Sequence, residues 1–186
     1  MPSPNDRDTL ALFRELAVHD SEPALWRLHS IYFSRLFAFT LSMVRVKETA
    51  EELASDVFLD VWEKRHLLPG VTRPTAYLFV CARNKALRHL QRPALPLESF
   101  DDYTDLECAL ERGPHELLIS SEMLRFINEA IRALPPRCRL IFRLVKENDL
   151  KYREVAELLS ISEKTVEAQM GIAFKKLSAS IPFKLA

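Results

Sequence analysis

The sequence predicts an all-α protein: two small helical domains joined by a flexible linker, the C-terminal one a helix-turn-helix. Three observations lead there. Residues 152–177, YREVAELLSISEKTVEAQMGIAFKKL, place Val155, Ala156 and Leu159, then Val166, Met170, Ala173 and Leu177, at helical spacing around a short Ser160-Ile161-Ser162 break. No stretch alternates apolar and polar residues as a half-buried strand does, and three glycines in 186 residues leave little material for β-hairpins or phosphate loops. Residues 94–115 are acidic, aperiodic and proline-containing, the composition of a tether between two periodic blocks.

The elements follow in order. Residues 8–18 make a short amphipathic helix, and 21–44 a long one with Leu25, Leu28, Tyr32, Leu36, Phe39 and Met43 at spacings of three and four. Residues 47–65 form a third helix, ended by a loop over 66–73. Pro74, suited to a first helical turn, opens a fourth that runs to about Arg92. Pro93 and Pro96 close the first domain, 1–93; the linker covers 94–115 and the second domain 116–186. A helix starting near Pro114 is split by Pro135-Pro136 from the next, residues 137–146. In the final pair, Ser162 is placed to cap the second helix, and small Ala156 lets the two axes meet at a steep angle. That second helix has the length to enter a DNA major groove, although a helical hairpin inside an all-α core gives the same pattern.

The formal charge is zero, 26 basic against 26 acidic residues, which is unusual for a nucleic-acid binder until its distribution is read. Residues 73–92 carry five Lys or Arg and no acid. Residues 98–116 carry seven acids against Arg112 alone, and from 132 to the end eleven basic residues face six acids. Two basic blocks thus flank an acidic one. The polar start MPSPNDRDTL has no apolar signal core, and the apolar run 36–44 is interrupted by Thr40 and Ser42, so a cytoplasmic protein without membrane insertion is expected. Cys81, Cys108 and Cys138 are isolated and odd in number, which fits a reducing compartment and argues against zinc or a disulfide framework. No metal, cofactor or catalytic constellation is expected, and the five histidines are scattered.

Two helices carry surfaces that a plain core does not require. The third is acidic throughout: the dipole accounts for Glu48, Glu51 and Glu52 near its start, but not for Asp56, Asp60 and Glu63, so a basic protein partner is a reasonable reading beside a merely solvated face. On the fourth, Tyr77, Cys81, Asn84, Lys85, Arg88 and Arg92 fall on one side, with Ala76, Phe79, Val80, Ala86, Leu87 and Leu90 mostly opposite. Lysine and arginine neutralise phosphates, asparagine can bond a base edge and tyrosine can stack on an unpaired base.

Four segments, LWRLHSIYFSRLFAFTLSMV, AEELASDVFLDVWEKR, RPTAYLFVCARNKALRHLQR and ALPPRCRLIFRLVKENDLKYREVAELLSISEKTVEAQMGIAFKKL, resemble in order and spacing the extracytoplasmic-function sigma factors of bacterial RNA polymerase. Within that family the chain is most similar to the iron-citrate-regulator type of Bacteroidetes. The resemblance implies a non-catalytic initiation factor with two domains, binding the β′ and β subunits of core polymerase and promoter DNA, and held by an anti-sigma factor that can be membrane-anchored. It places core-polymerase contacts at Glu52, Asp56, Phe58, Asp60 and Trp62. It places −10 contacts at Arg73, Tyr77, Asn84, Lys85, Arg88 and Arg92, and −35 contacts at Lys164, Thr165, Glu167, Ala168, Gln169 and Lys175. Two departures stand out: Ser160 occupies a turn position where glycine is frequent, and Glu163 and Glu167 put acid on the reading helix. From the residues alone, a stand-alone regulator with an N-terminal sensing domain and the same helix-turn-helix is the alternative.

Overall fold

The computed structural model describes residues 6–91 and 121–180, which belong to two compact units. Among the described residues all regular structure is helical. The linker 94–115, Arg92 and the expected helix start near Pro114 lie outside the described residues.

In the first unit α1 spans Asp6–His19, α2 Glu22–Val44, α3 Lys47–Glu63 and α4 Pro74–Leu90, with a 3₁₀ segment Arg65–Gly70 before α4. Ser21 starts α2: its Oγ accepts the Ala24 N–H at 3.3 Å while its hydroxyl donates to Glu15 at 2.8 Å. Arg45, in the left-handed region at φ 62°, ends it and donates its N–H to the Leu41 carbonyl at 3.0 Å. The chain re-enters a helix two residues later, and Thr40 fastens α2 to α3 by placing its Oγ1 3.0 Å from the Ala50 carbonyl. The stripe of α2 that reaches the core is Ala24, Leu28, Tyr32, Leu36 and Phe39; Leu25 and Met43 sit at its margin. Opposing it are Phe13 and Leu16 from α1, Val57 from α3, and Leu78 and Phe79 from α4, all fully buried.

The loop expected over 66–73 is half helical. Helix α3 stops at Glu63 because Arg65 folds back over the Trp62 ring, 4.6 Å from its centroid, and donates Nη1–H to the Trp62 carbonyl at 2.8 Å. Its Nε also pairs with Asp20 in the turn between α1 and α2. The 3₁₀ turn then buries Leu68 beneath α1 and leaves Leu67 exposed.

A buried polar chain crosses the middle of this unit. Thr9 on α1, Tyr32 on α2 and Thr75 on α4 are joined by hydroxyl bonds of 2.8 Å each, and Thr75 Oγ1 donates to Asp6 Oδ1 at 2.8 Å. Since an ionised Asp6 only accepts, the protons have one consistent order: Thr9 donates to Tyr32, Tyr32 to Thr75, Thr75 to Asp6. Asp6 also accepts the Thr75 backbone N–H at 3.4 Å and Arg73 Nε–H at 3.0 Å, so it serves as a cap for α4 supplied by another helix. Burial pushes the Tyr32 phenol above its usual range, outweighing the hydrogen bonds that pull it down.

The second unit comprises α5 Ser121–Arg132, α6 Pro136–Lys146, α7 Tyr152–Leu159 and α8 Glu163–Ser180. Helix α8 packs on the other three. Its Val166, Met170 and Ala173 close over Ile141 and Leu144 of α6 and Val155 and Leu158 of α7 in one core. Leu158, rather than Leu159, is the buried leucine at the end of α7. Cys138 is a core residue whose thiol, raised by burial, donates to the Gln169 carbonyl at 3.3 Å.

Tyr32→Phe removes the central hydroxyl and with it the bonds to both Thr9 and Thr75. The first unit should lose about 1 to 3 kcal/mol, read as a lower urea midpoint with unchanged slope.

Candidate polymerase and nucleic-acid interfaces

Helix α3 divides into two faces. Ala50, Leu53, Ala54, Val57, Phe58 and Val61 point inward, while Glu48, Glu51, Glu52, Ser55, Leu59 and Glu63 are exposed. Phe58, expected from sequence to meet a partner, is instead an interior residue: it is 5 % exposed and its ring lies 4.8 Å from that of His29. The apolar residue that does reach solvent is its neighbour Leu59, which sequence reasoning passed over. Trp62 is half-buried under Arg65.

The α4 face read from the sequence as one basic surface is two. Tyr77 and Lys85 turn toward the other helices of the unit: the Tyr77 ring meets Phe13 edge-on at 6.1 Å, and Lys85 Nζ lies 3.0 Å from Asp60 Oδ2 and 3.7 Å from Asp56 Oδ2. Asn84 and Arg88 face solvent, and with them Val80, in contrast to the core side expected for it from the sequence. At about 100° per residue, Lys85 lies one such step round from Asn84, toward α3. Tyr77 stands at nearly the same angle as Asn84 and Arg88 and is covered because Phe13 of α1 meets it near the N-terminal end of α4. Burial pushes the Tyr77 phenol up to about 12, with Cys81 beside it adding to the shift. Arg73 is joined to Asp6 at 3.0 Å and stands at the start of α4 rather than along its outer face.

In the second unit the helix pair has the expected turn. Ser160 takes a left-handed conformation, φ 53° and ψ 47°, at the end of α7, a geometry that favours glycine. Ile161 N–H returns to the Ala156 carbonyl at 3.0 Å and closes the helix. At the other end of α7, Glu154 reaches back to accept the Lys151 N–H at 2.8 Å. Ser162 caps α8, its Oγ accepting the Thr165 N–H at 3.0 Å and lying 2.7 Å from the Thr165 hydroxyl. The face of α8 away from the core presents Lys164, Glu167, Ala168, Gly171, Ile172 and Lys175; Thr165 and Gln169 lie half-buried at its edge. A side chain at Gly171 would meet nothing within 4 Å.

A helix-turn-helix with an exposed second helix defines a DNA-binding protein, here joined in one chain to a helical unit with an acidic outer face. Comparison with known proteins gives the particular class. The chain matches sigma-70 region 2 over residues 28–94 and sigma-70 region 4 over residues 127–177. It is 27% identical over 182 residues to the ECF RNA polymerase sigma factor RpoE of Cereibacter sphaeroides, covering 95% of this chain and 97% of that one. With the ECF RNA polymerase sigma factor SigM of Bacillus subtilis it shares 23% identity over 154 residues, covering 82% and 91%. Its fold is similar to that of CnrH, solved in complex with the cytosolic domain of CnrY, with a TM-score of 0.50 and 20% identity over 92% of this chain and 95% of that one. The chain belongs to the extracytoplasmic-function sigma factors of RNA polymerase: it binds core polymerase and promoter DNA and directs transcription initiation.

Ser162→Ala should cost the second unit about 1 kcal/mol through loss of the cap, whereas Gly171→Ala should stabilise it by about 0.5 to 1 kcal/mol. Urea denaturation followed by circular dichroism checks both. The raised Tyr77 phenol contributes stability that is present below the ordinary tyrosine range near pH 10 and is lost as pH rises toward about 12. An ultraviolet difference titration should show phenols ionising late, Tyr32 among them, and Tyr77→Phe should reduce the late absorbance change by one phenol while Tyr32 still ionises late.

Proposed function

We propose that residues 1–93 form the polymerase-binding and −10-recognising domain, 94–115 the linker and 116–186 the −35-reading domain. The observation that carries this division is the pair of outward faces on one small unit. The α3 face with Glu51, Glu52, Leu59 and Glu63 and the α4 face with Val80, Asn84 and Arg88 are both exposed, with the Lys85 seam between them. The acidic face fits a basic protein surface, with Glu52, Asp56, Asp60 and Trp62 at or beside it and Phe58 supporting it from within. The α4 face suits a displaced strand, Asn84 reading a base and Arg88 holding phosphate, while Tyr77 and Arg73 fix its N-terminal end. In the second unit Lys164, Thr165, Glu167, Ala168, Gln169 and Lys175 take the −35 duplex, Glu167 being suited to accept from a cytosine amino group.

On this reading the protein has no catalytic activity of its own and works in the cytoplasm; among the described residues no helix is long and apolar enough to cross a membrane. An anti-sigma partner, anchored in a membrane, is part of the same reading, by likeness to CnrH, which was solved with the cytosolic domain of CnrY.

Two experiments test the assignments. Asn84→Ala should impair run-off transcription far more on a closed promoter than on a pre-melted bubble, whereas Gln169→Ala should reduce both by a similar factor, corresponding to about 1 to 3 kcal/mol for a bidentate base contact. Equal losses for Asn84→Ala on the two templates would make α4 an ordinary duplex-binding surface. Glu51→Lys with Glu52→Lys should weaken capture by core polymerase several-fold while helicity is kept and stability falls by no more than the lost dipole interactions, about 0.3 to 1 kcal/mol each. Undiminished capture would remove the acidic face from the polymerase contact.

A further inference from the structure

The charged groups on the seam between α3 and α4 are arranged for exchange. Lys85 holds its ammonium 3.0 Å from Asp60 and 3.7 Å from Asp56, and Asp60 is also 4.0 Å from Lys64. The Lys85 side chain is only 16% exposed, whereas Asp56 and Asp60 remain 41% and 28% exposed. One cation is therefore enclosed while the two anions that enclose it stay open to solvent. Asp56 and Asp60 lie one turn apart on α3, the helix with the acidic outer face, while Lys85 sits on α4 between Asn84 and Arg88, which are exposed. A lysine is suited to this position: its charge is compact and its four-carbon stem is flexible, so it can leave one anion for another without breaking a fixed fork of bonds.

We propose that Asp56 and Asp60 hold Lys85 away from nucleic acid in the free protein, and that a cationic surface of polymerase, by taking the two carboxylates, releases Lys85 to a phosphate of the displaced strand. The inference rests on the reading of α3 as the polymerase side and α4 as the strand side. Strand binding is then coupled to polymerase binding through a competition for two carboxylates, with no change of backbone required.

The test compares four full-length proteins: wild type, Lys85→Met, Asp56→Asn with Asp60→Asn, and the triple variant. Binding of a short fluorescein-labelled mixed-sequence single strand is followed by anisotropy across a salt series. In the free wild type Lys85→Met should change affinity by less than about twofold. In the Asp→Asn background it should cost about five- to tenfold, and the salt dependence of the double variant should be steeper by about 0.7, one added phosphate contact on a single strand. With core polymerase bound, Lys85→Met alone should cost the full five- to tenfold. The same cost for Lys85→Met in both free backgrounds, or none in the polymerase complex, overturns the exchange, since removal of acids would then act only through general charge. Circular dichroism melts monitor folding, and Asp60→Asn alone, a smaller change, must shift the Lys85→Met cost in the same direction. Asn84→Ala and Arg88→Ala separate the two ideas. If they weaken strand binding while Lys85 behaves additively, only the exchange fails; if they are silent in every background, α4 is not the strand surface.

Discussion

The first unit depends on the hydrogen-bond chain that starts at Asp6 and passes through Thr75 and Tyr32 to Thr9. Four polar side chains from three helices enter a region otherwise filled by Phe13, Leu28, Leu78 and Phe79, where an unpaired hydroxyl would carry its full desolvation penalty. Each hydroxyl has one proton, and a single direction of donation satisfies all of them with Asp6 as the terminal acceptor. That requirement sets the register of α1 against α2 and α4 more narrowly than apolar packing does, because leucine and phenylalanine tolerate small slides. The start of α4 is fixed by the same carboxylate through the Thr75 N–H and Arg73. The positions of Tyr77, Asn84, Lys85 and Arg88 along the helix follow from that start.

Much of the fold was legible because its signals are local. Helix limits followed from Pro74, the Pro135-Pro136 break and Ser162, each acting on the backbone within a turn of itself. The helix-turn-helix was readable for the same reason. What escaped was set across helices. The fold-back of Arg65 onto Trp62 and Asp20 turned half an expected loop into a 3₁₀ turn, and its partner Asp20 is 45 residues away. The inward turn of Phe58 and the outward turn of Leu59 depend on where α2 crosses α3, which adjacent apolar residues in a sequence do not specify.

The candidate surfaces show the same division more sharply. A helical wheel groups the polar residues of α4 on one side, but a wheel does not know that α1 covers Tyr77 and that an acidic helix lies along Lys85. Lys85 therefore belongs to the seam, while Asn84, its neighbour in sequence, belongs to solvent. At Ser160 the difficulty was conformational. Serine is compatible with several turns, and the left-handed one is chosen here because the short break must bring α8 across α7 while Ile161 closes onto Ala156.

The zero net charge takes on meaning in this light. A protein that bound DNA unaided would place uncompensated lysine and arginine along its contact face and gain affinity by counterion release. Here several of the cations nearest the candidate faces are matched within the unit: Arg73 with Asp6, Lys85 with Asp60 and Asp56, Lys64 with Asp60. On α8 itself, Glu163 and Glu167 stand among Lys164 and Lys175. Such matching lowers the chain's own electrostatic pull on DNA below what its two basic blocks, residues 73–92 and 132 to the end, would otherwise exert. Affinity must then come from the large complex in which it acts, leaving the chain to supply discrimination through a few exposed groups such as Asn84, Arg88 and Gln169. For an initiation factor this is a physically sensible arrangement, because a subunit that bound DNA strongly on its own would occupy promoters without the polymerase needed to use them.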